Sequence, residues 1–319
     1  MRGILACVFT GLFCVLSSAP ARSVDAPARQ IAVIVYSMAP EHTAAWLEGA
    51  NDHPAVRDGS VVLTVYTGEG SQFVHDSQIS DISSRDYDAF VLVDADLGYN
   101  AKLVAAAVKR GIPVVASCGR FDVDGVAAFV GFDDERGGYL AARALFERLE
   151  GKGNVVLLKG PDMQDTTLRR ELGVATALRE FPDITLLDAR ATDWSMGESS
   201  RVMQEWMVRF QDQVDGVVAL SDEMGLGAVM AMRGAGEAIL PVSGIDGIPE
   251  AVQAVADGGF AQTLYKDPRA EAQGALDVTL RQLLGPDYQP LGDCWKDYPD
   301  MRWNGGMDKL YFVPWTVIR

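Results

Sequence analysis

Polar side chains follow the ends of several predicted strands in this chain, and they are its main candidates for chemistry. The set combines carboxylates, cations, a hydroxyl and one indole: Asp94, Arg120, Trp194, Ser221, Asp246 and Lys266. Ligands of open α/β sheets bind beyond the carboxyl ends of the strands, so we expect these side chains to face a cleft. A polyhydroxyl ligand needs fixed donors and acceptors beside a flat apolar surface, and this set offers both.

The sequence contains no motif that indicates catalysis or a cofactor. It lacks G-x-S-x-G, H-E-x-x-H and G-x-x-x-x-G-K-[ST], and its three histidines show no metal-ligand spacing. Cys118 is a candidate nucleophile, but it has only Arg120 nearby to activate it. We therefore expect a protein that is not an enzyme, with no catalytic residue, no cofactor and no metal site.

The net charge of the chain limits the kinds of partner that it can bind. Its 44 acidic and 28 basic residues give a formal charge of −16. An acidic surface repels polyphosphate, so nucleic acid is excluded as a partner. The apolar share of 48% is enough for substantial cores. We expect a monomer that binds a small molecule.

The first 21 residues have the pattern of an export signal. Arg2 precedes an apolar run over Ile4–Leu16, and Ala19-Pro20-Ala21 follows as a cleavage signal. This predicts a signal peptide at residues 1–21 and a periplasmic mature protein. Cys118 and Cys294 would then remain, either as one disulfide or as two separate thiols.

Short apolar runs alternate with helix-length segments along the chain, which predicts parallel sheets with helices on both faces. Four runs precede Gly151 and five follow it. They are Ile31–Tyr36, Val61–Tyr66, Ala89–Val93, Ile112–Ala116, Val155–Leu158, Ile184–Leu187, Gly216–Leu220, Leu240–Ser243 and Phe260–Leu264. Two doubly wound units follow one another, so the predicted fold class is α/β with two lobes.

From Gly111 to Gly285 the chain resembles the sugar-binding periplasmic proteins of the type I, ribose-binding class. The resemblance is carried by GIPVV (111–115), VGFDDERGG (130–138), RRELG (169–173), DGVVALSDEMGLGA (215–228), GIDG (244–247) and GFAQTL (259–264). It implies a receptor that closes on a sugar or polyol and docks on a membrane ABC permease. An alternative within the resemblance is a sensor that presents its closed form to a chemoreceptor or a sensor kinase.

The resemblance also implies roles for single residues. Arg170 matches an arginine that reaches ligand hydroxyls or a carboxylate, and Asp246 matches a ligand-binding aspartate. Trp194 stands where a stacking aromatic is frequent. Ser221 and Lys266 replace a frequent asparagine and glutamine. Asp94 and Arg120 complete the implied ligand-binding set from the first lobe.

The sequence departs from the family pattern at the fourth strand, which in sugar binders commonly ends in an Asp-Arg pair. Here it reads Cys118-Gly119-Arg120, so a carboxylate is missing. Arg120, Arg170 and Lys266 could together favour an acidic ligand, but Asp94 and Asp246 would oppose an anion. A neutral sugar or polyol is therefore the preferred expectation.

Each assignment has a structural alternative in which the side chain serves the fold alone. These are an ion pair of Arg170 with Asp162 or Asp165, a core position for Trp194, helix caps for Asp222 and Asp246, and a solvated ammonium group for Lys266.

The predicted domains are an N-terminal lobe (30–132 with 267–291) and a C-terminal lobe (133–266 with 292–319). They would be joined by a multi-strand hinge with crossings near Phe132, Lys266 and Gly285–Gly292. The aromatic tail after Cys294 would return as an edge strand over Leu310–Ile318, where Pro314 can be tolerated.

Overall fold

The structure, a computed structural model, describes residues 27–35, 41–68, 74, 78, 82, 84–93, 97–120 and 124–319. The predicted signal peptide at 1–21 and the predicted ligand residue Asp94 lie outside these residues. Within them, no helix is both long enough and apolar enough to cross a membrane.

The strands of the described residues form two sheets. They are β1 (Arg29–Val35), β2 (Val61–Thr67), β3 (Ala89–Val93), β4 (Val114–Ser117), β5 (Val126–Gly131), β6 (Lys152–Lys159), β7 (Asp183–Ala191), β8 (Gly216–Ala219), β9 (Val242–Ser243), β10 (Phe260–Tyr265), β11 (Leu310–Phe312) and β12 (Thr316–Ile318). The first sheet has the order β11-β5-β4-β3-β1-β2, and the second has the order β12-β10-β9-β8-β6-β7. All pairs are parallel except β10 with β12.

Helices cover both faces of these sheets. They are α1 (Glu41–Asn51), α2 (Pro54–Arg57), α3 (Leu97–Arg110), α4 (Asp134–Arg148), α5 (Asp165–Glu180), α6 (Met196–Phe210), α7 (Asp222–Ala235), α8 (Pro249–Ala256), α9 (Pro268–Leu284) and α10 (Cys294–Asp297), with short 3-10 turns at Gln211–Gln213 and Asn304–Gly306. The predicted two-lobed α/β fold is confirmed. Strand β5 was not among the predicted strands.

Strand β1 shows why its apolar run is continuous. Ile31, Val33 and Val35 pack in one core, and Ala32 and Ile34 pack in another on the opposite face of the sheet. Successive side chains of a strand point to opposite faces, so a strand covered on both sides needs apolar residues throughout. The run therefore marks a central strand of a parallel sheet.

The chain crosses between the lobes three times. The first two crossings, at 132–133 and 266–267, join β5 to α4 and β10 to α9. The third runs through 313–315 and joins β11 to β12. The sequence placed this crossing at Gly285–Gly292, which is wrong: that segment stays in the first lobe, where Leu291 and Gly292 donate backbone hydrogen bonds to Asp277 of α9.

The tail after Gly292 was predicted to belong wholly to the second lobe. In the structure it is divided between the two lobes. Cys294, Met301 and Tyr311 pack in the core of the first lobe. Only β12 joins the second sheet, where it pairs antiparallel with β10. The single predicted edge strand is thus two short strands on different sheets. Pro314 stands between them and needs no ladder hydrogen bond there.

Candidate functional site

Arg170 lies at the centre of the candidate site and is 2% exposed. Its Nε donates to Oδ1 of Asp134 over 2.8 Å, and an Nη donates to the carbonyl oxygen of Leu220. The other Nη lies 3.9 Å from Oδ1 of Asp246. Burial acts to lower the pKa of Arg170, but the carboxylates of Asp134 and Asp246 outweigh it and raise that pKa. The guanidinium is therefore a fixed cation between two acidic groups.

Glycines on two crossing helices bring Asp134 to Arg170. A Cβ added at Gly138 of α4 would lie 1.9 Å from the carbonyl oxygen of Arg170 on α5. A Cβ at Gly173 of α5 would lie 2.0 Å from the carbonyl oxygen of Glu135 on α4. Only glycine allows the two backbones to approach so closely. The glycines of the VGFDDERGG and RRELG motifs thus build the ion pair.

Asp246 is presented by a strained turn. Its φ of 125° is one that residues other than glycine rarely adopt. The neighbouring backbone is held by Asp222, whose Oδ2 accepts from the N–H groups of Gly247 (2.6 Å) and Ile248 (3.0 Å). The hydroxyl of Thr263 also donates to this carboxyl group. The side chain of Asp246 keeps 26% of its surface exposed and can accept from a ligand.

The pKa of Asp222 is raised to about 7, first because the carboxyl is buried and second because the charge of Asp246 is nearby. The sequence suggested Asp222 as the cap of α7. That expectation is wrong, because Ser221 caps this helix: its Oγ accepts from the N–H of Met224 at 3.3 Å. Asp246 does not cap α8 either, since that helix has Ile248 at its N-cap position.

Two tryptophans flank the Arg170 guanidinium, each with its ring centroid 5.9 Å from the guanidinium carbon. Trp194 is half-buried, with a φ of 67°, and its Nε1 donates to Oε1 of Gln164 over 2.6 Å. Trp315 comes from the third crossing and donates to the carbonyl oxygen of Asp133 over 2.8 Å. The indoles provide apolar surface beside the polar groups.

The first lobe and the second crossing contribute a second cluster of polar side chains. Lys266 is 7% exposed, so it is not a solvated lysine. Its Nζ donates to Sγ of Cys118 over 3.3 Å and lies 5.6 Å from the ring centroid of Phe132. Burial acts to lower the pKa of Lys266, but electrostatic interactions with Cys118 and Glu271 raise it overall. Arg120 is half-buried two residues beyond Cys118.

The structure brings together much of the set that the sequence singled out. Arg170 contacts Trp194 and Asp246, and the backbone N–H of Lys266 donates to the carbonyl oxygen of Asp246 over 3.1 Å. The structural alternative for Arg170 named the wrong partners, since its ion pairs are with Asp134 and Asp246. Ser221 adjoins Leu220 at the site, but its hydroxyl caps α7.

Sequence reasoning missed three residues here. Asp134 stands in the first turn of α4, where a carboxylate commonly complements the helix dipole, so its local sequence does not mark it as a site residue, and its neighbour Asp133 provides the α4 cap. Burial, the largest influence, raises the pKa of Asp134, while Arg170 and Lys266 act to lower it. Trp315 stands far along the chain from the other site residues, Glu271 follows Lys266 by five positions on α9, and no local pattern marks either of them. Pairing the VGFDDERGG and RRELG glycines across a helix crossing would have found Asp134.

The cysteine alternatives resolve in favour of two thiols. In the described part of the chain, Cys118 and Cys294 are both free of disulfides. Cys294 is buried in the core of the first lobe, where burial raises the pKa of its thiol above the ordinary range.

Two doubly wound lobes, three crossings and a polar site that spans both lobes define the type I class of periplasmic binding proteins. The family described as the periplasmic binding protein domain matches residues 31–287. The chain belongs to this family of binding proteins.

Several known proteins are similar to this chain. The xylitol-binding protein of Mycolicibacterium smegmatis (strain ATCC 700084 / mc(2)155) is 33% identical over 211 residues, which are 66% of this chain and 60% of that protein. The match therefore spans less than two thirds of that relative. The ribose import binding protein of Salmonella typhimurium (strain LT2) is 27% identical over 217 residues, 67% of this chain and 71% of that protein.

A solved structure extends the likeness to most of the chain. It is an ABC transporter periplasmic solute binding protein from Actinobacillus succinogenes 130z with bound D-allose. It has 25% sequence identity and a TM-score of 0.76, and covers 91% of this chain and 97% of that chain.

Proposed function

We propose that this protein is a periplasmic receptor that holds a neutral sugar or polyol between its lobes and delivers it to an ABC importer. Arg170, Trp194 and Asp246 of the second lobe would contact the ligand, with Arg120, Lys266 and the predicted residue Asp94 on the other side. Ser221 adjoins this set, but its hydroxyl is already used in capping α7. Export would depend on the predicted signal peptide at 1–21.

The observation that carries the proposal is the charge balance at Arg170. Its guanidinium already has the carboxylate of Asp134 at 2.8 Å and that of Asp246 at 3.9 Å. Because this cation is neutralised within the protein, an anionic ligand gains little from it and is opposed by Asp246. A hydroxyl can donate to Asp246 and accept from Arg170, so neutral diols suit the pair.

The aromatic groups and the relatives agree with this chemistry. Trp194 and Trp315 offer flat apolar surface for the C–H faces of a sugar or polyol. The relatives are named for xylitol and ribose, and the solved neighbour holds D-allose. The three crossings leave the lobes joined by short segments, as a hinge requires.

A thermal-shift comparison of neutral ligands with their acids tests the proposal. The panel pairs pentitols, pentoses and hexoses with sugar acids of the same carbon skeleton. A ligand at 100 times its Kd stabilises the native state by about 2.7 kcal/mol. We expect a shift with at least one neutral compound and a smaller shift with its acid. Larger shifts with the acids would contradict the proposal.

A matched pair of variants connects the shift to the site. Asp246→Asn keeps the size of the side chain, and asparagine tolerates positive φ better than most residues. It should remove most of the ligand-induced shift. Asp183→Asn changes the same type of side chain at an exposed position at the start of β7 and should leave the shift intact. Equal shifts in both variants would contradict the assignment of Asp246.

A further inference from the structure

Three side chains with metal-ligand chemistry meet beside Lys266, although the sequence predicts no metal site. They are His42 on α1, Cys118 just after β4 and Glu271 on α9. Their ligand atoms all lie within 4.8 Å of one another. The spacing along the chain hides this group, because its members are brought together only by the packing of α1 and α9 on the first sheet.

Two atoms in this group lack the hydrogen bonds that buried polar atoms need. Nε2 of His42 lies within ion-pair distance of Oε2 of Glu271, at 3.0 Å, but the angles there do not make a hydrogen bond. Neither atom has another hydrogen-bond partner among the described residues. The Glu271 side chain is fully buried. An unsatisfied imidazole nitrogen facing an unsatisfied carboxylate oxygen is the arrangement that a shared cation would complete.

The surrounding contacts prepare these groups as ligands. Oε1 of Glu271 accepts from the N–H of Cys118 over 2.7 Å, which orients the carboxylate and leaves Oε2 available. Nζ of Lys266 donates to Sγ of Cys118 over 3.3 Å, which holds the sulfur beside the other two ligand atoms. Partners of this kind around a metal site tune the affinity of its ligands.

The distances fit a tetrahedral ion with small movements. Zinc bonds of about 2.0–2.1 Å to nitrogen and oxygen would place those two atoms roughly 3.3 Å apart, against the 3.0 Å between His42 and Glu271. A zinc–sulfur bond of about 2.3 Å would place the sulfur roughly 3.6 Å from either atom. Since the ligand atoms lie within 4.8 Å of one another, the sulfur has to approach by at most about 1.2 Å, which a cysteine side chain can do.

We propose that His42, Cys118 and Glu271 form a binding site for Zn²⁺ or a similar thiophilic divalent ion. A set of one sulfur, one nitrogen and one oxygen suits zinc, and three protein ligands leave a fourth position open for water or another ligand. The site adjoins the proposed ligand-binding residues, because Lys266 contacts Cys118, but its test below needs no sugar or polyol.

Cobalt titration of the full mature protein, kept reduced, tests this site. Co²⁺ bound through a thiolate gives a sulfur-to-cobalt charge-transfer band, which Zn²⁺ should abolish by displacement. We expect one Co²⁺ per chain with this band in the wild type and in Cys294→Ser, which removes the other thiol of the described residues. Cys118→Ser should lose the band, and His42→Ala should weaken binding by about 100-fold or more.

A second readout uses the wild type alone and does not depend on the folding of any variant. Zn²⁺ should protect Cys118 from alkylation, as located by mass spectrometry, and a chelator should restore its reactivity. A wild type with no charge-transfer band, an unchanged band in Cys118→Ser, or equal alkylation with and without Zn²⁺ would each overturn the proposal.

Discussion

Replacing Gly138 with alanine should separate α4 from α5 and disturb the site that they build. The new Cβ would lie 1.9 Å from the carbonyl oxygen of Arg170, whereas real Cβ contacts stay at 3.0 Å or more. The helices must therefore move apart by about 1 Å. Overpacking of this kind costs about 1–3 kcal/mol.

The same movement acts on the buried ion pair. The Nε–Oδ1 hydrogen bond between Arg170 and Asp134 is 2.8 Å long, and a further 1 Å would take it beyond hydrogen-bond length. Losing a buried pair costs about 3–5 kcal/mol. We expect Gly138→Ala to lower the free energy of unfolding by at least about 2 kcal/mol and to weaken ligand binding.

Equilibrium urea unfolding followed by tryptophan fluorescence measures this loss. Gly234→Ala is the matched control, because Gly234 is exposed near the end of α7 and a Cβ there meets nothing within 4 Å. That variant should gain about 0.5–1 kcal/mol from the better helix propensity of alanine. If Gly138→Ala proves as stable as the wild type, the close helix crossing is not what positions Arg170.

Three other substitutions test separate parts of the structure. Asp222 has a native pKa of about 7, against 3.8 as the ordinary value. Its contribution to stability is therefore full below pH 4 and is lost as the pH rises through 7, by about 4 kcal/mol at most. Urea unfolding from pH 4 to pH 8 should show this loss in the wild type and not in Asp222→Asn. Trp315→Ala removes a ring whose centroid lies 4.6 Å from that of Phe132, with the planes tilted by 41°, and because Trp315 is only half-buried it should cost about 2–3 kcal/mol in unfolding free energy. Asp277→Asn disturbs a buried carboxylate that accepts five hydrogen bonds and should cost about 3 kcal/mol or more, with faster proteolysis of the tail.

Each of these has its own control and contrary outcome. Parallel pH profiles for Asp222→Asn and the wild type would show that the carboxyl is not titrating near neutrality. Trp315→Phe keeps an aromatic ring and should lose less stability than Trp315→Ala; equal losses would show that the aromatic contact with Phe132 does not stabilise the third crossing. An Asp277→Asn protein whose tail resists protease as the wild type does would show that this carboxylate does not anchor it.

The two lobes could be predicted from the sequence because the alternation of strands and helices is a local pattern that repeats along the chain. The continuous apolar runs of β3 and β8 follow from burial on both faces of a parallel sheet. The resemblance also selected Arg170, Trp194 and Asp246, which the structure brings into contact. Whether they bind a ligand is the subject of the tests above.

The sequence-based predictions that failed concern features that depend on contacts between residues distant in sequence. The third crossing could not be predicted, because β11 and β12 are three residues each and too short for a periodic pattern. Asp134 resembled a helix-start carboxylate, and only the glycine crossing of α4 and α5 reveals its pairing with Arg170. Glu271 reaches Cys118 across 153 positions of the chain.

A crystal structure of the protein with the neutral compound that gives the largest thermal shift is the most direct test of the proposed function. The ligand should lie between the lobes, with hydroxyl groups within hydrogen-bond distance of Asp246 and Arg170 and a carbon face against Trp194 or Trp315. A ligand bound elsewhere on the molecule, or one that touches a single lobe and leaves Asp246 unbound, would contradict the account.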